Sequence, residues 1–223
     1  MINYKKIFQI RECNSNRPFR GKIENFNFAT PEISRGEISL TEIVAVKHTM
    51  GRKTLYDIIW TTNAFPLIVS KRVIELFKSN AITGWKTYDV KIYSKKDELI
   101  DKNYFGLIIT GRCGYRDYST SSIVMDKIGI TAEPHLKGYY FKDDFWDGSD
   151  LFMSNPDKKG EAPMYRFCSE RVVQLFKKEK IQNIVFKEVT EFTMSISSYE
   201  IGLYEIGLTE KQQIEIEKLK ASR

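Results

Sequence analysis

Apolar and polar positions alternate along most of this chain, and two stretches break that rhythm with helical spacing. Residues 2–11 place Ile2, Tyr4, Phe8 and Ile10 among polar neighbours, which predicts a strand with one buried face. Glu42–His48 and Leu55–Trp60 predict two further strands around a turn at Met50-Gly51-Arg52. Trp85–Tyr93 reads as a strand, and Tyr104–Thr110 as another, rich in β-branched and aromatic residues. Helical spacing first follows Ser70, an N-cap residue: Val73, Ile74 and Phe77 share a face, and the helix should fail near Asn80. Ser169 opens a second helix with Val172, Val173 and Phe176 on one face, and Ile184–Phe192 follows as a strand. Thr209–Ala221 predicts a polar terminal helix, with Thr209 and Gln212 as a capping box and Ile214 and Leu219 as anchors. Residues 14–41 are turn-rich, and Gly111–Gly160 predicts loops and short strands. A pentapeptide, Tyr-Glu-Ile-Gly-Leu, occurs twice in tandem over Tyr199–Leu208.

The two helix-strand stretches resemble each other. At an offset of 99, Val69–Val90 and Cys168–Val189 share eight of 22 positions: Ser70/Ser169, Arg72/Arg171, Val73/Val172, Leu76/Leu175, Phe77/Phe176, Lys78/Lys177, Ile82/Ile181 and Val90/Val189. Capping and burial account for Ser and the spaced apolar residues. They do not demand identical Arg, Lys and Phe positions. The pattern predicts two related half-domains, since a solenoid would need at least about three short repeats. The expected fold is α+β, with two related halves, each a mainly antiparallel sheet with a packed helix. Residues 1–105 would hold the first copy and 106–223 the second, within two domains or one continuous one.

Composition narrows the class. At 223 residues, 42% hydrophobic and 29% charged, the chain has an ordinary globular make-up, and no apolar run is long enough to cross a membrane as a helix. The net charge is +6, and Met1–Lys22 holds six cations against Glu12 alone. The interleaved apolar residues make that segment read as a strand and loop more than a basic arm for nucleic acid. Cys13, Cys113 and Cys168 are odd in number and widely spaced, which argues against a disulfide framework or zinc site and for reduced thiols. The N-terminus has no apolar signal core, so a cytoplasmic location is expected.

Catalytic patterns are missing. The chain has two histidines, His48 and His135, and lacks HExxH, P-loop and GxSxG motifs. A Cys113–His135 nucleophile pair has nothing in the sequence to place it. The segment Gly138–Asp150 (GYYFKDDFWDGSD) is dense in aromatics and acids. Asp143, Asp144, Asp147 and Asp150 fail the EF-hand pattern because Phe145 stands where an oxygen ligand belongs. Two readings of the segment stay open: a partner-contact loop, or aromatics that plug a core while the acids cap turns. On the first reading the contact residues are Tyr139, Tyr140, Phe145, Trp146, Asp147 and Asp150.

Trp60–Tyr93 resembles a bacterial family of immunity proteins, first described from myxobacteria and found beside polymorphic toxins. Ser70, Ile82, Thr83, Gly84 and Trp85 match its Ser-capped helix, Thr-Gly dipeptide and aromatic-containing strand. Gly106–Gly111 and Trp146–Phe152 (WDGSDLF) are similar too, and Ser169–Phe186 renews the likeness, which spans roughly residues 55–192. The double CxxCG motif of some relatives is absent here. The resemblance implies a non-enzymatic protein that binds and neutralises a cognate toxin, with no catalytic residues, cofactor or metal. The net positive charge would favour an acidic toxin surface and disfavours nucleic-acid mimicry. The alternatives are a basic nucleic-acid-binding module (pI 9.0), an enzyme built on the Asp-rich loop, and a protein-binding scaffold. Oligomeric state is open.

Overall fold

The structure is a computed structural model that describes residues 1–13, 18–28, 30–63, 66–128, 131–154, 165–196 and 208–221. The repeated pentapeptide lies almost wholly outside them. The first half of the chain runs β1 (Ile7–Arg11), β2 (Arg20–Ile23), α1 (Pro31–Arg35), β3 (Val44–Met50), β4 (Ile58–Thr61), β5 (Leu67–Ser70), α2 (Lys71–Ser79), β6 (Trp85–Tyr93) and β7 (Leu99–Asp101). The rest follows as β8 (Tyr104–Ile109), β9 (Gly111–Cys113), β10 (Ser122–Ile128), β11 (Thr131–Lys137), β12 (Leu151–Ser154), β13 (Arg166–Ser169), α3 (Glu170–Lys178), β14 (Val185–Glu188), β15 (Thr193–Ser195) and α4 (Glu210–Ala221). Strand content exceeds helix content, so the α+β class is observed, and the sheets are mainly antiparallel.

Six strands, ordered β3-β2-β4-β5-β8-β6, close on themselves through β3–β6 into a barrel-like sheet, with β7 flanking β6. A second sheet runs β14-β1-β13-β12-β9, and a third runs β10-β11-β15. Among the described residues, parallel pairing is confined to β2–β4, β3–β6 and β9–β12.

Alternate residues of single strands serve two different cores, because successive side chains point to opposite faces. Ile58 and Trp60 of β4 join Leu67 and Val69 of β5 in a central core, while Ile59 and Ile68 point into the barrel. Likewise Leu151, Met153 and Cys168 face the central core, and Phe152 and Phe167 face an aromatic one. Both helices lie in the central core: Val73, Ile74 and Phe77 of α2 pack with Val172, Val173, Leu175 and Phe176 of α3. The rings of Phe77 and Phe176 stack at 5.7 Å.

The strand orders match. β2-β4-β5-β8-β6 in the barrel corresponds to β9-β12-β13-β1-β14 in the second sheet, pair for pair in orientation. Ile58 faces Val69 as Leu151 faces Cys168, and Val69 faces Phe105 as Cys168 faces Phe8. Phe105 in turn faces Asp89, as Phe8 faces Glu188. The helix exits agree as well. Ile82 N–H donates to Phe77 O and Ile181 N–H to Phe176 O, both at 2.9 Å, and the left-handed residues Ala81 and Gly84 recur as Lys180 and Asn183.

One strand of each set comes from elsewhere in the chain. β1 leads into β2 yet lies in the second sheet, and β8 leads into β9 yet lies in the barrel. A division between residues 105 and 106 would pass through β8.

The barrel has a close fit at Gly106. It stands opposite Tyr88, and a Cβ there would lie 1.9 Å from the Tyr88 ring, which is itself buried. Gly106→Ala is expected to cost about 2–3 kcal/mol by overpacking. Urea denaturation would read this as a lower midpoint with unchanged slope.

The terminal helix packs on the third sheet. Thr209 and Gln212 form the expected capping box, with Thr209 N–H donating to Gln212 Oε1 at 2.8 Å and Gln212 N–H to Thr209 Oγ1 at 3.3 Å. The expected anchor Ile214 is instead exposed. Gln212 and Ile216 are buried and Leu219 packs beside them, so the inward face is set by positions 212, 216 and 219, with Ile214 pointing away.

Candidate functional site

The aromatic-acidic loop fills the place that β3 takes in the barrel. There, His48 of β3 faces Gly21 of β2. In the second sheet, Cys113 of β9 has an antiparallel bridge to Trp146. Among the described residues the sheet does not close, and the loop plugs it with rings.

Tyr139 is 1% exposed and touches the rings of Phe141, Tyr165, Phe167 and Phe192. Tyr140 is half-buried, edge-on to Tyr4 at 5.0 Å. Trp146 is half-buried against Phe152, its indole N–H donating to Ser149 O at 3.1 Å. The exposed Asp147 accepts from Arg112 N–H at 2.7 Å and Ser149 N–H at 2.9 Å. Asp144 accepts the Tyr4 hydroxyl at 2.9 Å, and burial, reinforced by that carboxylate, pushes the Tyr4 pKa up. Of the six residues expected to contact a partner, Phe145 and Asp147 are at the surface, whereas Tyr139 and Asp150 are interior and serve the fold. The reason is local. Among the described residues no strand closes the second sheet, and its aromatic face is covered by the rings nearest in the chain.

Asp150 belongs to a pair of matching polar nodes that the sequence showed only in part. Ser169 Oγ donates to Asp150 Oδ1 at 2.7 Å, and Arg171 Nη1 to Asp150 Oδ2 at 2.8 Å. In the same arrangement, Ser70 Oγ donates to Asp57 Oδ1 at 2.8 Å and Arg72 Nη1 to Asp57 Oδ2 at 2.9 Å. Each Arg then reaches across to the end of the other helix. Arg72 Nη2 donates to Glu179 O and Arg171 Nη2 to Asn80 O, where carbonyl-rich helix ends favour cations. These contacts account for the repeated Arg, and the stack of Phe77 on Phe176 accounts for the repeated Phe. Ser70 also caps α2 by accepting from Val73 N–H, while the Ser169 hydroxyl makes no such bond. Thr83, of the Ile-Thr-Gly-Trp segment, donates its N–H to Asp150 at 3.1 Å, so two segments noted separately in the sequence meet here. Asp57 was not singled out, although like Asp150 it precedes an apolar strand that pairs with the Ser-bearing one.

Cys113 and Cys168 are buried, and Cys113 and His135 lie in different sheets. Burial raises the pKa of both Cys113 and Cys168, which holds the thiols protonated. His135 stands on β11 with Nδ1 bonded to Glu133 O, in a different sheet from Cys113 on β9. Burial pulls the Arg166 guanidinium down to about 10, where the matching position of β5 is Leu67. Among the described residues, no group of three or more His, Cys, Asp and Glu is placed to hold a metal ion. The basic first segment is no free arm. β1 is interior to its sheet, Arg20 pairs with Glu12, and Lys6 pairs with Glu170 at 3.0 Å.

One surface feature with chemical character is an open groove of about 700 Å³ at one end of the barrel. Its walls are the segment after β3 and the β6–β7 turn, with Arg52, Lys53, Lys95, Lys96, Glu98 and Ile100 among the lining residues. The four cations are exposed. His48 sits at its base, stacked on Phe19 at 4.5 Å with Nε2 bonded to Met50 O at 2.8 Å. Among its lining residues Ile100 is a large apolar side chain left exposed. Sequence reading missed this groove because the Arg52-Lys53 and Lys95-Lys96 pairs lie more than forty residues apart. They meet because β3 and β6 run parallel, bringing their ends to the same side. Among the described residues, no helix is long and apolar enough to cross a membrane. Comparison with protein-family models gives no match, and neither does comparison with curated proteins.

Proposed function

We propose that this protein is a non-enzymatic, cytoplasmic immunity-type binder that neutralises a cognate bacterial toxin domain. The observation that carries the binding part is the barrel-end groove, where exposed Ile100 adjoins the cations Arg52, Lys53, Lys95 and Lys96. Apolar area beside a charged rim is the usual make-up of a protein interface. The toxin-neutralising part rests on the family resemblance of residues 55–192. The test is co-expression with the toxin domain encoded beside this gene. Cells should survive with the intact chain and die without it; death in both cases would overturn the reading.

We further propose that the chain arose from two related units, residues 7–93 and 104–188, that exchange their first strands. The matching registers, the matching Asp-Ser-Arg nodes and the shared residues of the two helices support this.

A further inference from the structure

We infer that the groove at the barrel end seats an acidic, extended protein segment of the partner. The inference deepens the binder reading and rests on it. Four cations and one carboxylate line the groove. Among the described residues, Arg52, Lys53, Lys95 and Lys96 make no ion pair, whereas their neighbour Lys47 is held by Asp97 at 2.6 Å. Like charges gathered in this way repel each other until an anionic group arrives, and they steer such a group in from solution.

The groove also offers apolar contact, through Ile100 and the aliphatic stems of the Lys and Arg side chains. This mixture suits a peptide that alternates carboxylates with apolar residues. It suits a nucleic-acid strand less. The one aromatic ring among the lining residues, the His48 imidazole, is buried and already stacked on Phe19, so it is not offered to a base, and the Glu98 carboxylate stands in the wall against phosphate. Ile100 lies on β7, the last strand of its sheet, so the β7 backbone has an edge with no neighbouring strand among the described residues. An extended segment can add there by main-chain hydrogen bonds.

The test uses the full chain and its Lys95→Glu/Lys96→Glu variant. Three fluorescent probes are titrated: a short peptide alternating Glu with Leu, its Gln counterpart, and oligo-thymidine of equal length. Both lysines are exposed, so the variant should melt with the parent. The Glu peptide should bind more tightly than the other two, weaken with salt, and lose about tenfold or more in the variant. Equal affinity for parent and variant, or no binding of the Glu peptide, would overturn the groove assignment. Tighter binding of oligo-thymidine would overturn it in favour of nucleic acid. The co-expression assay separates the two levels. If the variant protects cells as well as the parent, the groove assignment fails and toxin neutralisation stands. If the parent does not protect, the binder reading fails whatever the peptides do.

Discussion

Replacing Asp150 with alanine should destabilise the protein by about 3–4 kcal/mol, because four donors converge on one buried carboxylate. Those donors are the backbone N–H and hydroxyl of Thr83, the hydroxyl of Ser169 and the guanidinium of Arg171. The Asp150 side chain is 5% exposed, so alanine would strand the buried Ser169 hydroxyl and remove both bonds from Thr83. The matching change at Asp57 should cost less, about 1–2 kcal/mol. Its carboxylate is 17% exposed and receives Ser70 and Arg72, with no counterpart to Thr83. Arg171→Ala should cost under about 1 kcal/mol, since that side chain is 59% exposed and solvent screens the pair. Chemical denaturation of the three variants gives the ordering. Equal costs at Asp150 and Asp57 would show that the Thr83 link adds nothing.

Gly84→Ala should cost about 3 kcal/mol, through left-handed backbone strain together with overpacking against a main-chain atom. Gly84 has φ +82°, and a Cβ there would lie 2.0 Å from the Leu151 carbonyl oxygen. That oxygen belongs to backbone, so no side chain can swing aside. The Gly84 carbonyl also accepts from Thr110 N–H at 2.9 Å, which ties the turn to β8. The matching position is Asn183, with φ 64°. There the gap is wider, and the Asn183 amide bridges it by donating to Ile58 O at 2.8 Å. Asn183→Gly should therefore cost only about 1 kcal/mol, the worth of one hydrogen bond. Thermal melts of both variants test the contrast. A Gly84→Ala protein as stable as the parent would mean that β12 can move away from this turn.

Legibility in the sequence followed how local the cause was. α2 and α3 were readable because capping and apolar spacing act within one helix, and β6 because its period-2 pattern is intrinsic to a half-buried strand. The phase of α4 was misread at Ile214 because apolar letters alone were counted. Gln212 is buried on the core side, where its amide donates to the carbonyls of Tyr118, Ser119 and Ser121. The β10–β11 hairpin is longer than the short strands expected of this region. Pro134 and its charged neighbours mask it.

The places of β1 and β8 could not be read. IFQIR and YFGLII say that each is a strand, but pairing partners are set by tertiary packing. The Tyr139–Trp146 loop was ambiguous for a related reason, since aromatic composition is the same for a core plug and a contact surface. Tyr139 itself is buried among the rings of the aromatic core.

The central claim is that this protein inhibits a toxin by binding it. Titrating the purified chain into the isolated toxin domain, with the toxin's own activity as readout, tests that claim most directly. Activity should fall in proportion to added protein and end at an equimolar complex, with recovery when the Lys95→Glu/Lys96→Glu variant is used instead. Toxin activity unchanged at an excess of the intact chain would contradict that claim.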